Sequence, residues 1–116
     1  MAWKWPNVFK VIILLKKKEG LSDDDFAEHW KNVHGPMARE LPGLRRYVQN
    51  LARSSPSREP SYHGVAEMWF DDLQSMNTAF ATPEGQSTIK DLDKFVSNRT
   101  TLFVNELTIL EDRRET

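Results

Sequence analysis

The chain has 116 residues and no cysteine, and its 16 Lys and Arg residues nearly balance 17 Asp and Glu residues, which gives a net charge of −1. This length predicts one domain, residues 1–116, around one core. The lack of cysteine excludes disulfides, thiolate metal sites and cysteine nucleophiles. The balanced charge gives no reason to expect nucleic acid or an anionic membrane as a partner. Because no run of about 18 apolar residues and no signal-peptide pattern is present, we expect a soluble cytoplasmic protein.

The first elements are an aromatic opening and a strand. Residues 3–6 read Trp-Lys-Trp-Pro and predict an arm that packs across a neighbour. Residues 8–15 form a nearly continuous apolar run rich in β-branched side chains, which predicts a strand buried on both faces. The three lysines at 16–18 then predict a solvated strand end.

The next element is a helix that carries a histidine. Ser22 precedes three aspartates and predicts an N-cap, and Gly35 with Pro36 predicts the end of the helix just after His34. Four apolar residues follow the spacing of one helix face: Phe26, Trp30, Val33 and Met37. His34 borders this stripe, so we expect its ring to face inward. Burial and a helix C-terminus shift a histidine pKa in opposite directions, which predicts a value close to neutral.

The rest of the chain alternates strands and helices. Residues 44–51 and 62–70 predict strands, and the Ser- and Pro-rich segment 52–61 between them predicts a hairpin loop, with a lid as the alternative. The remaining predictions, in chain order, are a helix at 71–81, a break at 82–85, a short helix at 86–95, a strand at 100–110 and a frayed tail at 111–116.

The order β-α-β-β-α-β is typical of the ferredoxin-like fold, an α+β architecture in which helices cover one face of a four-stranded antiparallel sheet. The uncovered face of such a sheet should be polar, but the first, third and fourth predicted strands carry apolar residues on both faces. This face must therefore meet an apolar surface. The simplest partner is a second copy of the chain in a homodimer, and a ligand or another protein is the alternative.

Four motifs resemble those of the EthD family, within the dimeric α+β barrel superfamily. They are His29-Trp30, His34-Gly35-Pro36, the segment 42–47 that reads Pro-Gly-Leu-Arg-Arg-Tyr, and the segment 67–70 that reads Glu-Met-Trp-Phe. The resemblance extends over about residues 9–106. It implies a subunit that dimerises through its sheet and holds a small hydrophobic molecule in a pocket between sheet and helices.

The resemblance also implies candidate chemistry. In a methylmuconolactone methylisomerase similar to this family, a helix-end histidine and a strand tyrosine line the site, and the same spacing falls on His34 and Tyr47. That enzyme's cysteine corresponds to about Met68, so thiol-dependent steps are not expected here. Similar fungal polyketide-acid decarboxylases keep cofactor-free decarboxylation open.

The candidate site residues each have a structural alternative. His34 and Tyr47 are the predicted catalytic residues, although His34 hydrogen-bonded to a nearby carbonyl and Tyr47 packed in the core are the alternatives. His29 is predicted to be a boundary residue, and His63 to be on the face opposite Met68, towards a dimer partner. The predicted substrate-binding residues, whose aromatic members also suit a core, are Phe26, Trp30, His63, Met68, Phe80 and Phe95.

No metal or cofactor is predicted. The three histidines are far apart in sequence and lack supporting carboxylates, and the five glycines form no phosphate-binding pattern. The leading hypothesis is a cofactor-free enzyme that isomerises, dehydrates or decarboxylates a hydrophobic carbonyl, lactone or phenolic substrate. Two alternatives remain: a non-catalytic binding protein that serves an oxygenase system, and a cofactor-independent monooxygenase.

Overall fold

The computed structural model describes residues 8–114, so the predicted arm at 3–6 and the last two residues of the predicted tail lie outside the described residues. Four antiparallel strands form one sheet in the order β2-β3-β1-β4. Their bounds are β1 Phe9–Lys17, β2 Arg46–Leu51, β3 Gly64–Phe70 and β4 Val96–Val104. The helices pack on one face, which confirms the predicted ferredoxin-like α+β fold.

The helices lie in two groups. The first is a continuous helix made of α1 Asp23–His29, a π-helical turn Trp30–His34 and α2 Gly35–Arg39. The second contains α3 Leu73–Ala81, α4 Pro83–Asp91 and a 3₁₀ turn Leu92–Lys94. None of the helices within residues 8–114 is both long enough and apolar enough to cross a membrane.

The prediction that Gly35 and Pro36 end the first helix is wrong. Gly35 keeps right-handed helical angles, with φ −56° and ψ −49°, and its N–H donates to the Trp30 carbonyl five residues earlier. Pro36 lies in the first turn of α2, where a missing N–H is tolerated. His34 therefore lies within a helix and not at its C-terminus.

The π turn also changes which residues face the core. The buried residues of this helix recur every four positions, at Phe26, Trp30, His34 and Ala38. Val33, predicted to be in the apolar stripe, is 45% exposed, and Met37 is only half-buried. The apolar stripe was predicted from the constant residue spacing of an α-helix. That prediction fails here because the π turn contains an extra residue.

The fourth strand was predicted too late in the chain. It starts at Val96 because β1 pairs with it from Lys17–Val96 to Lys10–Val104. Residues 105–110 continue beyond this ladder and belong to no strand, and three of their apolar side chains are exposed: Leu107, Ile109 and Leu110.

Other boundaries differ by a few residues. β2 and β3 each begin two residues later than predicted, and Asp72 caps α3 through a bond from the Ser75 N–H. The predicted break at 82–85 contains the start of α4, since Thr82 is its N-cap and Pro83 its first residue. Residues 52–61 connect β2 to β3 as a hairpin, as predicted.

The core lies between the sheet and the helices. Alternate residues of β3 are buried on the helix side, at Gly64, Ala66, Met68 and Phe70. Gly64 lies directly under the Trp30 indole, where a Cβ atom would come within 2.7 Å of the ring. Trp30 and Phe26 can reach the sheet only because this position carries no side chain.

Candidate active site

Two histidines face one side of the first helix because of the π turn. In a regular α-helix, residues five apart are turned by about 140° from each other. The extra residue in the turn brings His29 and His34 towards the same neighbour. The Trp30 carbonyl stabilises this turn by accepting from the Gly35 N–H and from Gln49 Nε2 at 2.8 Å. Such π turns often occur at functional sites.

The neighbour that both histidines meet is Asp91. His34 Nδ1 lies 2.9 Å from Asp91 Oδ2, and His29 Nε2 lies 3.0 Å and 3.2 Å from the two carboxylate oxygens. The Lys94 ammonium lies farther away, at 3.7 Å from Oδ1. The side chain of Asp91 is 2% exposed, that of His34 is 7% and that of His29 is 23%. This cluster, here called the Asp91 cluster, thus runs from the protein interior towards the surface.

The electrostatics of the cluster favour a carboxylate beside a neutral imidazole. Burial raises the pKa of Asp91, but hydrogen bonds from His34 and His29 outweigh that effect, so the pKa lies below its usual value. Burial lowers the pKa of His34 below its usual value, against the opposing hydrogen bond to Asp91. With Asp91 ionised, Nδ1 of a neutral His34 must be the protonated nitrogen, since it is the one that donates to the carboxylate.

An apolar cavity of about 210 Å³ is lined by His34 but not by Asp91. Its floor is the helix-facing side of β1, β3 and β4, and its walls come from the π turn, α2, α3, α4 and the 3₁₀ turn. Most of its lining is aliphatic or aromatic, with Ile13, Leu15, Ile89 and Leu92 as examples. Within residues 8–114, His34 Nε2 has no hydrogen-bond partner, and the ring forms part of this wall. The cavity therefore meets an imidazole nitrogen that carries a free lone pair.

The cavity has few other polar side chains. Thr88 donates its hydroxyl to the Glu84 carbonyl at 2.8 Å and is thereby satisfied. Arg99 and Thr101 line the cavity from β4, where both residues are exposed. Among the described residues, Arg99 makes no ion pair and is the one charged residue of the lining. The cavity lining thus contains the Arg99 cation and the Thr101 hydroxyl from β4 and the His34 imidazole from the π turn.

The structure brings part of the predicted site together. His34, Trp30, Met68 and Phe80 all line the cavity. Phe26 and Phe95 are buried in the core behind it and do not line it. Phe95 packs on both histidine rings, with centroids 4.8 Å from His29 and 5.1 Å from His34. Phe95 therefore packs against the Asp91 cluster from the core side.

Tyr47 lies on the helix side of the sheet but outside the cavity lining. Its hydroxyl accepts a hydrogen bond from Gln49 Nε2 at 2.8 Å, and the same amide donates to the Trp30 carbonyl. Burial raises the pKa of Tyr47, so the phenol stays protonated at neutral pH. In this structure Tyr47 contacts the π turn, and its catalytic role stays a prediction.

The expected orientation of His63 towards a dimer partner is wrong. His63 precedes β3, so strand alternation does not fix its side. Its Nδ1 accepts from the Lys17 N–H at 3.0 Å, and its ring meets Phe26 edge-on at 6.3 Å, on the helix side. It lines a separate polar depression that also contains residues 51–54 and 59–60. The hairpin loop thus borders this depression and not the cavity beside His34.

Sequence reasoning missed Asp91 and Arg99. Asp91 ends a helix whose last turn looks like an ordinary charged surface, Ile-Lys-Asp-Leu-Asp-Lys, and its contacts with His29 and His34 span about 60 residues of sequence. Arg99 lay just before the predicted fourth strand, so no cavity-facing position was assigned to it. The correct strand limits would have put residues 99, 101 and 103 on one face.

A family comparison matches residues 18–99 to the EthD domain. A curated Rhodococcus erythropolis protein, an uncharacterized 11.0 kDa protein of the thcB-thcC intergenic region, is 33% identical over 86 residues, covering 73% of this chain and 84% of its own length. The crystal structure of an EthD family protein from Bacillus halodurans is 33% identical, with a TM-score of 0.75 over 86% of this chain and 99% of that chain.

Two solved enzymes share the fold at low identity. Hydroxynitrile lyase from Passiflora edulis is 14% identical with a TM-score of 0.71, over 91% of this chain and 99% of its own. SnoaB, a cofactor-independent oxygenase from Streptomyces nogalater, is 12% identical with a TM-score of 0.65, over 91% and 100%. The fold as such thus supports cofactor-free catalysis in other proteins. From the domain match and the 33% identical relatives, the chain belongs to the EthD family.

Proposed function

We propose that this protein is a cofactor-free acid/base enzyme that moves protons on a small hydrophobic carbonyl, lactone or phenolic substrate. The observation that carries the proposal is the hydrogen bond between His34 Nδ1 and Asp91, 2.9 Å long, beside an apolar cavity. The buried carboxylate fixes the tautomer and stabilises the imidazolium that forms during a proton transfer.

The proton balance of the reaction needs only the substrate and His34. Nε2 removes a proton from a carbon next to a carbonyl, or from a hydroxyl, and becomes part of an imidazolium bonded to Asp91. Returning that proton to another carbon gives isomerisation, and returning it to a departing hydroxyl gives dehydration with release of water. In decarboxylation Nε2 takes the proton of the substrate's carboxyl group, the bond to the departing CO₂ breaks, and the imidazolium returns the proton to the carbanion. Such transfers typically contribute about 10²–10⁴-fold in rate.

The size of the cavity limits the substrate. A cavity of about 150 Å³ is enough to bind benzene, and this one measures about 210 Å³. One substituted ring therefore fits inside. A larger polyketide-type substrate would have to extend past the exposed side chains of Arg99 and Thr101, which suit a carboxylate, an enolate or a phenolate.

Tyr47 is proposed to assist His34 through the π turn. Its hydroxyl and the Trp30 carbonyl share the Gln49 amide, at 2.8 Å each. A cavity-lining role would require the phenol to turn towards the substrate once it is bound.

We infer a homodimer formed through the outer face of the sheet. Apolar side chains on that face are half-buried or exposed, including Ile12, Leu14, Val65 and Leu102. Beyond β4, Leu107 is 51% exposed and Ile109 is 92% exposed. A second copy of the same sheet would cover both sets.

The test uses the protein and a metabolite extract from its host. Native mass spectrometry and metabolite profiling follow the extract incubated with wild type, with His34→Ala and with His63→Ala as a matched histidine control. We expect wild type and His63→Ala to convert a bound metabolite and His34→Ala to retain it unchanged. A ligand carried unchanged by all three would support a binding protein instead. Oxygen consumption during conversion would support a cofactor-independent monooxygenase instead; SnoaB, which shares the fold, is a cofactor-independent oxygenase.

A further inference from the structure

We propose that a surface depression beside the cavity is the outer half of the same binding site, and that the substrate is an amphiphile with an apolar ring in the cavity and an anionic group in the depression. For its catalytic consequence this inference rests on the proposed function, because it names the class of substrate on which His34 would act. Its test measures binding alone.

The depression and the cavity share part of their lining. The depression measures about 350 Å³ and lies between the end of α4, the 3₁₀ turn and the start of β4. Ile89, Leu92 and Arg99 line both the depression and the cavity. Arg99 is exposed and the two apolar side chains are half-buried, so this shared rim reaches the surface. A ligand longer than one ring can therefore leave the cavity over this rim and enter the depression.

The two halves differ in polarity. The cavity is mostly aliphatic and aromatic, whereas the side chains that belong to the depression alone are mainly polar: Lys90, Asp93, Val96, Ser97 and Asn98. Binding sites place apolar groups against apolar walls and use a few polar groups to fix orientation. A ligand that occupies both halves must then be apolar at one end and polar at the other.

The charges around the depression favour an anion at the polar end. Within residues 8–114, neither Lys90 nor Arg99 forms an ion pair. A third cation is close, since the Lys18 ammonium donates to the Asp93 carbonyl at 3.2 Å. Asp93 supplies the one carboxylate among the described lining residues. Three cations against one carboxylate suit a carboxylate or a phosphate on the ligand.

A β-bulge at the start of β4 shapes the depression. The pairing of β1 with β4 shifts register between Lys16 and Lys17, which makes Ser97 an extra residue in β4. In a regular strand, successive side chains alternate between the two faces of the sheet. Here the four successive residues 96–99 all line the depression. The bulge thus gathers polar side chains at the cavity rim, and bulges often occur next to active sites.

The test is titration calorimetry at physiological ionic strength with benzoate, 6-phenylhexanoate and the neutral 6-phenylhexan-1-ol. Lys90 lines the depression but not the cavity. Lys90→Gln should therefore weaken binding of 6-phenylhexanoate by about two- to fivefold and leave benzoate and the alcohol unchanged. Arg99→Gln should weaken both acids, because Arg99 lines both halves. Lys31→Gln removes the same charge from an exposed lysine that lines neither half, and should change nothing.

Unchanged binding of 6-phenylhexanoate to Lys90→Gln would overturn the proposal, as would an equal loss for benzoate or for the alcohol. Wild type that fails to bind 6-phenylhexanoate more tightly than benzoate would overturn it as well. Failure of the proposed function has a different signature. If His34→Ala still converts substrate, His34 is not the catalytic base, although the Lys90 result would still establish the outer half of the site.

Discussion

The two faces of the sheet bury charged groups in different ways. On the helix side, the Asp91 cluster leaves His34 Nε2 free beside a cavity. On the outer face, the Lys10 ammonium contacts Glu67 and Glu106 at 2.8 Å each and lies 4.6 Å from the Trp69 ring centroid. Asn50 completes this group by donating to Glu67 at 2.9 Å. The outer cluster is thus a closed set of ion pairs, whereas the inner one leaves a ring nitrogen free, as the proposed proton exchange requires.

Removing the inner base should have the largest effect. His34→Ala should lower turnover by about 10²–10⁴-fold, because the proton acceptor is lost while the cavity stays apolar. Asp91→Asn should cause a smaller loss, since an amide can still hold the ring but cannot stabilise an imidazolium. The rate of substrate disappearance measures both. An Asp91→Asn variant as active as wild type would mean that the carboxylate has no catalytic role.

Disrupting the outer face should change the assembly. Leu107→Ser combined with Ile109→Ser removes two exposed apolar side chains beyond β4. We expect the double variant to be monomeric in light scattering at concentrations where wild type is a dimer. Leu73→Ser, at a position on the helix side that is 45% exposed, is the control and should stay dimeric. A monomeric wild type would contradict the assembly that we infer.

The outer charge cluster should contribute to stability to a lesser degree. Lys10→Met removes a side chain that is 10% exposed and leaves two carboxylates without their shared donor. The free energy of unfolding should fall by about 1–3 kcal/mol in urea titrations. Glu106→Gln, at a side chain 51% exposed, should cost less than about 1 kcal/mol. Equal losses in the two variants would contradict this ranking.

Most of the fold could be predicted because hydrophobic patterns reveal strands directly. The apolar runs located β1 and β3 to within two residues at each end, and the order of elements identified the topology. The π turn could not be predicted, since Gly35 and Pro36 usually end a helix. That one turn decides that His34 lies inside a helix and meets Asp91. His34 could therefore be identified as a candidate, whereas its partner could not.

Acid should destabilise the protein through the inner cluster. The pKa of His34 is lowered in the folded state, so below about pH 6.5 the unfolded chain binds more protons than the folded one. The free energy of unfolding should therefore fall as the pH drops from 7 through the folded pKa. Asp91, whose pKa is also lowered, should add a further loss below about pH 4. Urea unfolding of wild type and His34→Gln across this range should show a shallower dependence in the variant.

The smallest effect is expected at Arg99. Arg99→Gln should weaken binding of a one-ring carboxylate such as benzoate by less than about fivefold, because an exposed ion pair contributes only about 0.2–1 kcal/mol. Binding of benzyl alcohol should not change. Titration calorimetry with both ligands measures the difference. An equal change for both ligands would mean that Arg99 does not discriminate between a charged and a neutral ligand.

The central claim is that a buried carboxylate presents a neutral His34 to the cavity with Nε2 free. Long-range ¹⁵N NMR at neutral pH reports directly which ring nitrogen carries the proton. The account predicts that His34 is neutral and protonated at Nδ1, the nitrogen 2.9 Å from Asp91. A proton on Nε2 alone, or an imidazolium at this pH, would contradict it, since neither form offers a lone pair to a substrate in the cavity.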